Sequence, residues 1–543
     1  MASFYLRTES IKSEDILDFF VATQNDSNIV KLLKSHDPVV LEGSRGIGKS
    51  FLMKVAQLEL DSAFDNLKCL PVEVSFTASS LVHTSDKQQF THWMLAKIIR
   101  ALLKKLRKEG LTISSYTSSL LSNDLYDDEQ DMLAKLGEIV KLFEDSYKNP
   151  QKNIDISGIP DVGEIKEAIE EICLTNTNKL KNICFFFDEA AHVFRPEQQR
   201  QFFTLFRDLR SPYISCNAAI YPGVTHYGRS FEITHDCTFV RIERDILDKN
   251  YLTTMRNIVF RQADDNLKAT IEKRANDFNT LAFSSGGNPR ILFRTIQQCE
   301  KKFNAKSIES VIKTYYRDGI WAEHTELGEK YKGHKKLVDW GRTFIEKEVI
   351  PSTQEKNNIR RDHDKDESTL YFWIHKDAPE TVKESLRLLC YTGIIRKIDD
   401  GIRGRNAQIG SRYEIKYGCI LSLAANPIQH SPKLYPNLSI KIFSEFGANN
   451  EAFNDIKHFD IFEEQESDVL KTIREQMQIN INVLQTLTSW QKEKLRGCGI
   501  KTIEELHNRS EDELIQKIYG VGPAKARIMK NAAIAELLEY LSG

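Results

Sequence analysis

The stretch Gly43-Ser44-Arg45-Gly46-Ile47-Gly48-Lys49-Ser50 fits G-x-x-x-x-G-K-[ST] without a gap, and it constrains the fold more than any other feature of the chain. Pro38-Val39-Val40-Leu41-Glu42 before it reads as a short buried strand, and residues 50–60 after it carry an apolar helical period. Strand, glycine-rich loop and helix is the order in which backbone N–H groups turn toward phosphate oxygens. Within it Lys49 reaches the outer phosphates and Ser50 places a hydroxyl on Mg²⁺. The helix start adds its positive end. This part of the chain is therefore expected to be an α/β core built on a parallel sheet.

Cys184-Phe185-Phe186-Phe187-Asp188-Glu189 is the matching second element. An apolar run that ends in an acid reads as a parallel strand buried on both faces, with Asp188 pushed into the crevice at its carboxyl end. There Asp188 can hold the Mg²⁺ shell through water. Glu189 can orient and polarise a water for in-line attack on a γ-phosphate. Alone, an Asp-Glu pair would also serve as the cap of a following helix. The phosphate loop upstream favours the catalytic reading.

A chain of 543 residues is too long for one core and suggests three or four domains. No apolar run approaches the ~20 residues of a membrane helix, and the start MASFYLRTES lacks the layout of a secretory signal. A cytoplasmic protein with no membrane partner is expected. The nine cysteines are scattered, with no CxxC pair and no zinc-ligand spacing, so they read as reduced thiols. Net charge is −2, so any surface for a polyanion must be local.

These motifs resemble the AAA+ and STAND branches of the P-loop ATPases, whose cofactors are ATP and Mg²⁺. Gly286-Gly287-Asn288-Pro289-Arg290, in the helical region after the core, narrows the resemblance to the initiator-like kind. It implies a helical lid over about 245–330, from which Arg290 reaches the γ-phosphate as a sensor; an arginine fork suits phosphate oxygens. A helix start at Asn288-Pro289 with a surface arginine is the other reading of the same residues. The resemblance also asks for a polar residue on the fourth strand, for which Asn217 is the candidate and Ser215 and Tyr221 are alternatives. It further asks for an arginine presented to a neighbouring subunit, and Arg229 lies in that place, as would a solvated loop arginine.

The expected organisation is an ATPase core over 1–244 with a polar, helix-rich insertion at about 110–180, then the lid over 245–330. Residues 331–425 resemble a winged helix, with a helix over 335–347, a charged loop over 353–366, and a hairpin of 394–398 and 412–415. A connecting segment, 426–480, leads to an all-α unit at 481–543. That unit contains Ile518-Tyr519-Gly520-Val521-Gly522-Pro523-Ala524-Lys525-Ala526-Arg527-Ile528, which resembles a helix-hairpin-helix motif; residues 487–510 resemble a degenerate first copy. The glycines allow close backbone approach, so N–H groups can meet a DNA phosphate, with charge added by Lys525, Arg527 and Lys530. In the winged helix Arg403, Arg405 and Arg412 can lie along a phosphate backbone. Both modules also suit protein docking.

The layout of ATPase, lid and winged helix resembles origin-recognition-type initiator ATPases over about residues 10–425, with the hairpin-helix tail as an addition. The resemblance implies an ATP hydrolase in which nucleotide state controls lid closure, homo-oligomer assembly and DNA engagement. The alternative is a STAND-like signalling or antiphage-defence switch that recruits a separate effector protein.

Overall fold

A computed structural model of the chain describes residues 4–76, 89–122, 129–146, 154–156, 158–188, 196–223, 225–228, 230–299, 303–330, 334–363, 365, 367–457, 477–484 and 486–541. These form two compact units, one of residues 4–243 with 253–263, the other of residues 244–252 with 264–543.

The first unit is built on five strands, β1 (Val39–Glu42), β2 (Cys69–Ser75), β3 (Asn182–Asp188), β4 (Ile214–Ile220) and β5 (Thr238–Arg241). All pairings are parallel and the order is β2-β3-β4-β1-β5. Alternation along β3 explains why the strand is apolar throughout. Ile183, Phe185 and Phe187 join a core with the helix Gln89–Lys108, while Cys184 and Phe186 join one with the helix Lys49–Ser62. The expected insertion contributes helices Ser115–Ser122, Glu129–Glu144 and Val162–Thr175. Their buried Leu121, Leu136, Phe143 and Ile169 belong to the first of these cores, so the segment helps cover the sheet. Residues 13–35, whose apolar spacing reads as one helix ending at the Ser35-His36-Asp37-Pro38 break, form two, Ile16–Phe19 and Gln24–Leu33. Thr23, in extended conformation, starts the second by accepting a hydrogen bond from Asp26 N at 3.0 Å as its N-cap.

In the second unit helices over 265–330 precede a four-stranded sheet. Its strands are β6 (Tyr371–His375), β7 (Ile395–Arg403), β8 (Ile409–Ile415) and β9 (Ser444–Phe446), in the order β7-β8-β6-β9. Three expectations change here. The charged loop over 353–366 is largely helix, Ile350–Asp362, continuing Lys335–Phe344 through a π-helical turn at Ile345–Val349. Pro351 falls in the first turn after that irregularity, where a missing N–H costs least, and the charged side chains occupy the exposed face while Ile350 and Thr353 are buried. The hairpin strands are longer than read, so Gly401 lies within β7 and the tip is 404–408. Residues 426–480, read as a connector, supply β9, which pairs with β6 in parallel; on the way to it Pro427 opens the helix Pro427–Leu434, Pro432 lies inside that helix, and Pro436 lies in the 3-10 turn Tyr435–Asn437.

The C-terminal unit expected from the glycine pattern forms helices Ser489–Gly497, Ile503–His507, Glu511–Lys517 and Pro523–Leu541. The first three begin with capping boxes at Thr488, Thr502 and Ser510. Asn531 ties the last helix to the helix Glu380–Thr392 by accepting from Glu380 N and donating to Ala378 O, both at 3.4 Å.

Candidate functional site

The phosphate loop leaves the carboxyl end of β1. Gly43 N donates to Ile220 O at 3.3 Å, so the loop starts level with the end of β4. Gly46 and Gly48 have φ of 85° and 113°, the left-handed region that costs a side chain ~1–2 kcal/mol and glycine little. Gly48 is the N-cap of the helix Lys49–Ser62, whose first N–H groups therefore face into the turn of the loop. Ser44, Arg45 and Ile47 complete the turn, and Ser50 stands in the first turn of the helix. Lys49 is buried, its Nζ donating to Gly43 O at 2.5 Å and Ser44 O at 3.2 Å and lying 4.0 Å from the centre of the Tyr221 ring. Carbonyl oxygens and a π face are what an ammonium taken out of water requires. They hold it at the loop.

Asp188 ends β3 at the same edge of the sheet. Strand β4 lies between β3 and β1, and two inter-strand steps of ~4.8 Å set Asp188 roughly 10 Å from β1. The level is also right, since Phe187 and Val40 both pair with Ala218 and Asp188 is therefore level with Leu41. Phe187, one residue back, is clamped by Phe76, Phe202 and Phe206 at ring distances of 5.8, 5.7 and 6.3 Å. Such pairs contribute about 0.5–1.5 kcal/mol each beyond burial, which anchors the strand end. A hydroxyl from Ser50 and one carboxylate from Asp188 are a donor set suited to Mg²⁺, which keeps waters and takes phosphate oxygens as its other ligands. Glu189 and Arg229 lie outside the described residues.

Asn217 does not reach this edge. It pairs with Val39, four residues before Gly43 and so roughly 13 Å back along the strand direction at ~3.3 Å per residue. Its side chain is fully buried, donating to Leu33 O at 2.9 Å and Cys184 Sγ at 3.2 Å. The polarity of Asn217 is used to tie a helix end to the sheet. Ser215 lies still further back, whereas Tyr221, the residue after β4, is the one that meets Lys49. The signal in the sequence is the strand's end rather than its polar residue. A second pair was not anticipated: Arg241 Nε meets Glu42 Oε2 at 2.9 Å, neutralising the carboxylate that directly precedes the loop.

Arg290 sits in the first turn of the helix Pro289–Gln298, which begins with Pro289 after Asn288 has capped it by accepting from Ile291 N at 3.2 Å. It belongs to the second unit.

The candidate DNA-contacting residues divide. Arg412 is turned inward, bonded to Asp399 and to Ile440 O, the latter at 2.7 Å. Arg527 pairs with Glu511 at 3.4 Å, and Lys530 donates to His507 O. Burial pulls the Lys530 ammonium down to about 8, with Glu511 and Glu513 pulling the other way. These three cations are absorbed by their own domains. Arg403 and Arg405 remain exposed at the hairpin tip, and Arg405 is only 4.0 Å from Glu445. In the tail, exposed Lys525 donates to Gly520 O at 3.0 Å and lies 4.5 Å from the Trp490 ring. Gly520 has φ of 85° and is required by the turn. At Gly522 a Cβ would meet nothing within 4 Å, so no packing inside the domain demands glycine there. Its bare backbone is presented outward.

No protein-family model matches the chain, and no curated protein does. Among solved structures, the Walker-type ATPase paby2304 of Pyrococcus abyssi is 13% identical, with 79% of this chain and 97% of that one covered and a TM-score of 0.37. The Aeropyrum pernix ORC1 protein, solved in complex with DNA, is 11% identical, with 75% of this chain and 93% of that one covered and a TM-score of 0.29.

Proposed function

We propose that this chain is an ATP-dependent DNA-binding ATPase. One observation carries the reading: a glycine loop holding a buried lysine and a strand-end carboxylate stand at one edge of a parallel sheet, two strands apart. The loop N–H groups and Lys49 bind and orient the phosphates, while Tyr221 and the Gly43 and Ser44 carbonyls hold Lys49 in readiness. Mg²⁺, held by Ser50 and Asp188, would neutralise charge on the outer phosphates. Glu189, by its place after Asp188, takes the role of orienting water. Arg290, by its place in the sequence after the core, takes the role of the nucleotide sensor that the resemblance implies, and Arg229 that of an arginine serving a neighbouring subunit of an oligomer.

DNA engagement is assigned to Gly520, Gly522 and Lys525 in the tail and to Arg403 and Arg405 at the hairpin tip. What supports it is a glycine that the domain's own packing does not need, beside an exposed lysine. Backbone N–H groups and lysine read phosphate, so binding should be insensitive to sequence and steeply dependent on salt. The test is ATP binding and turnover by the full chain with and without DNA, together with DNA affinity at low salt. A chain that binds ATP but no form of DNA would overturn the DNA half, and one that binds no ATP would overturn the whole.

A further inference from the structure

The basic run at the end of the helix Gln89–Lys108 has no part in the function above. It closes a cleft of about 410 Å³ against the edge strand β2, lined by Glu73, Val74 and Ser75 from the strand. The helix contributes Lys97, Arg100, Lys104, Lys105 and Lys108, with Ala101 between them. Five cations and one acid therefore face a volume in the small-ligand range of roughly 300–1,000 Å³.

Partners decide which of these charges are spent. Lys97 pairs with Glu144 at 3.4 Å, and Lys105 with Asp61 at 2.7 Å and Glu109 at 2.8 Å. Glu73, the acid of the lining, is taken by Lys54 at 2.7 Å. Arg100 is different. Its Nε is buried with no hydrogen-bond partner among the described residues, and its guanidinium lies against Gly137. Lys104 and Lys108 are exposed, four residues apart on the same helix face, and add mobile charge at the mouth. Burial also lowers the Lys97 pKa despite Glu144, as for a cation short of negative charge.

We propose that this cleft binds a ligand carrying several adjacent phosphates. Val74 and Ala101 are its hydrophobic members and the other seven lining residues are charged or polar, five of them cations, so the side chains select for negative charge. The volume suits a compact oligophosphate; a nucleic-acid backbone offers the same chemistry from another source. The site is separate from the phosphate loop and stands whether or not the chain hydrolyses ATP.

The probe is inorganic tripolyphosphate, titrated calorimetrically into the full chain carrying Lys49→Ala, which removes the competing lysine of the phosphate loop. Binding should be detected, and Lys104→Glu added to that background should weaken it about tenfold or more. Arg107→Glu makes the same charge change three residues along, on a residue that does not line the cleft, and should weaken binding less than about twofold. Melting temperatures of the variants report folding. Competition by a short single-stranded DNA, lost in Lys104→Glu, would identify a nucleic-acid backbone as the source of the phosphates. Lack of competition would identify the free oligophosphate. Absence of tripolyphosphate and DNA binding in the Lys49→Ala chain, or equal losses from Lys104→Glu and Arg107→Glu, overturns the proposal.

Discussion

In the phosphate loop Lys49 is buried and turned onto the carbonyls of its own loop, in a backbone whose left-handed glycines leave few alternatives. In the C-terminal hairpin Lys525 stays exposed, while Arg527 and Lys530, further along the same helix, are taken up by Glu511 and His507. Both regions carry glycines followed by basic residues on a helix start. The first is specified by backbone conformation, the second by which side chains happen to find partners within the domain. A motif written in glycine spacing survives folding intact, and a motif written in surface charge is edited by it.

The largest effect expected is at the loop. Lys49→Ala removes the cation aimed at the phosphates, and two charge-assisted bonds at ~1.5–3 kcal/mol each make a loss of about 100-fold or more in ATP affinity. Fluorescent-nucleotide titration measures it, and wild-type affinity would remove the loop from the comparison altogether.

Arg412→Ala tests the opposite side of the contrast. Because Arg412 bonds Asp399 and the Ile440 carbonyl, its loss should cost about 1–3 kcal/mol of stability in urea unfolding. Arg405→Ala, with its side chain 81% exposed, should leave stability within about 0.5 kcal/mol. If Arg412→Ala were neutral for stability but reduced DNA affinity, the internal ion pair would not describe the arginine's use.

Those two arginines show what the sequence could and could not convey. The phosphate loop, β3 and the carboxylate at its end were legible because glycine φ, strand alternation and chain order are local properties. Asn217 was misplaced because its polarity suggested the crevice, whereas only the register shows it level with Val39 and bonded to Leu33. The charged run over 353–366 reads as a loop because it is polar almost throughout, and in the helix Ile350–Asp362 only Ile350, before the run, and Thr353, at its start, are buried. Strand β9 was hidden by brevity, three residues that follow a proline-rich stretch and whose pairing with β6 is a long-range fact. Pairing of Arg412, Arg527 and Lys530 depends likewise on residues brought together by the fold.

Asp188→Asn should weaken Mg²⁺-dependent nucleotide binding by about tenfold while leaving metal-free binding nearly unchanged, since one charged ligand of the metal shell becomes neutral. Equal affinity with and without Mg²⁺ in both proteins would detach the carboxylate from the site. Lys525→Glu is expected to lower DNA affinity several-fold and to reduce the slope of log affinity against log salt by about 0.9 for each phosphate it no longer neutralises. Arg527→Gln should leave that slope unchanged. A slope that responds equally to both substitutions would erase the distinction between exposed and absorbed cations.

The smallest effect is the most specific to that distinction. Lys530 has its pKa lowered to about 8 by burial, so the folded state releases its proton before the unfolded chain, whose lysine keeps the ordinary value near 10.5. Below about pH 8 both states are protonated and the fold carries the full cost of the desolvated ammonium. Between about 8 and 10.5 the unfolded state binds more protons, so stability must rise with pH across that window. Lys416, also lowered to about 8 by burial, adds a rise of the same sign, and the comparison is therefore between wild type and Lys530→Met. Amide hydrogen exchange of the helix Pro523–Leu541, corrected for intrinsic rates, should show protection growing from pH 8 to 10 in the wild type and growing less in Lys530→Met. Identical pH dependence in the two proteins would mean that Lys530 keeps an ordinary, solvated ammonium. It would then rejoin Lys525 as a cation available to DNA, and the hairpin would be as legible from sequence as the phosphate loop.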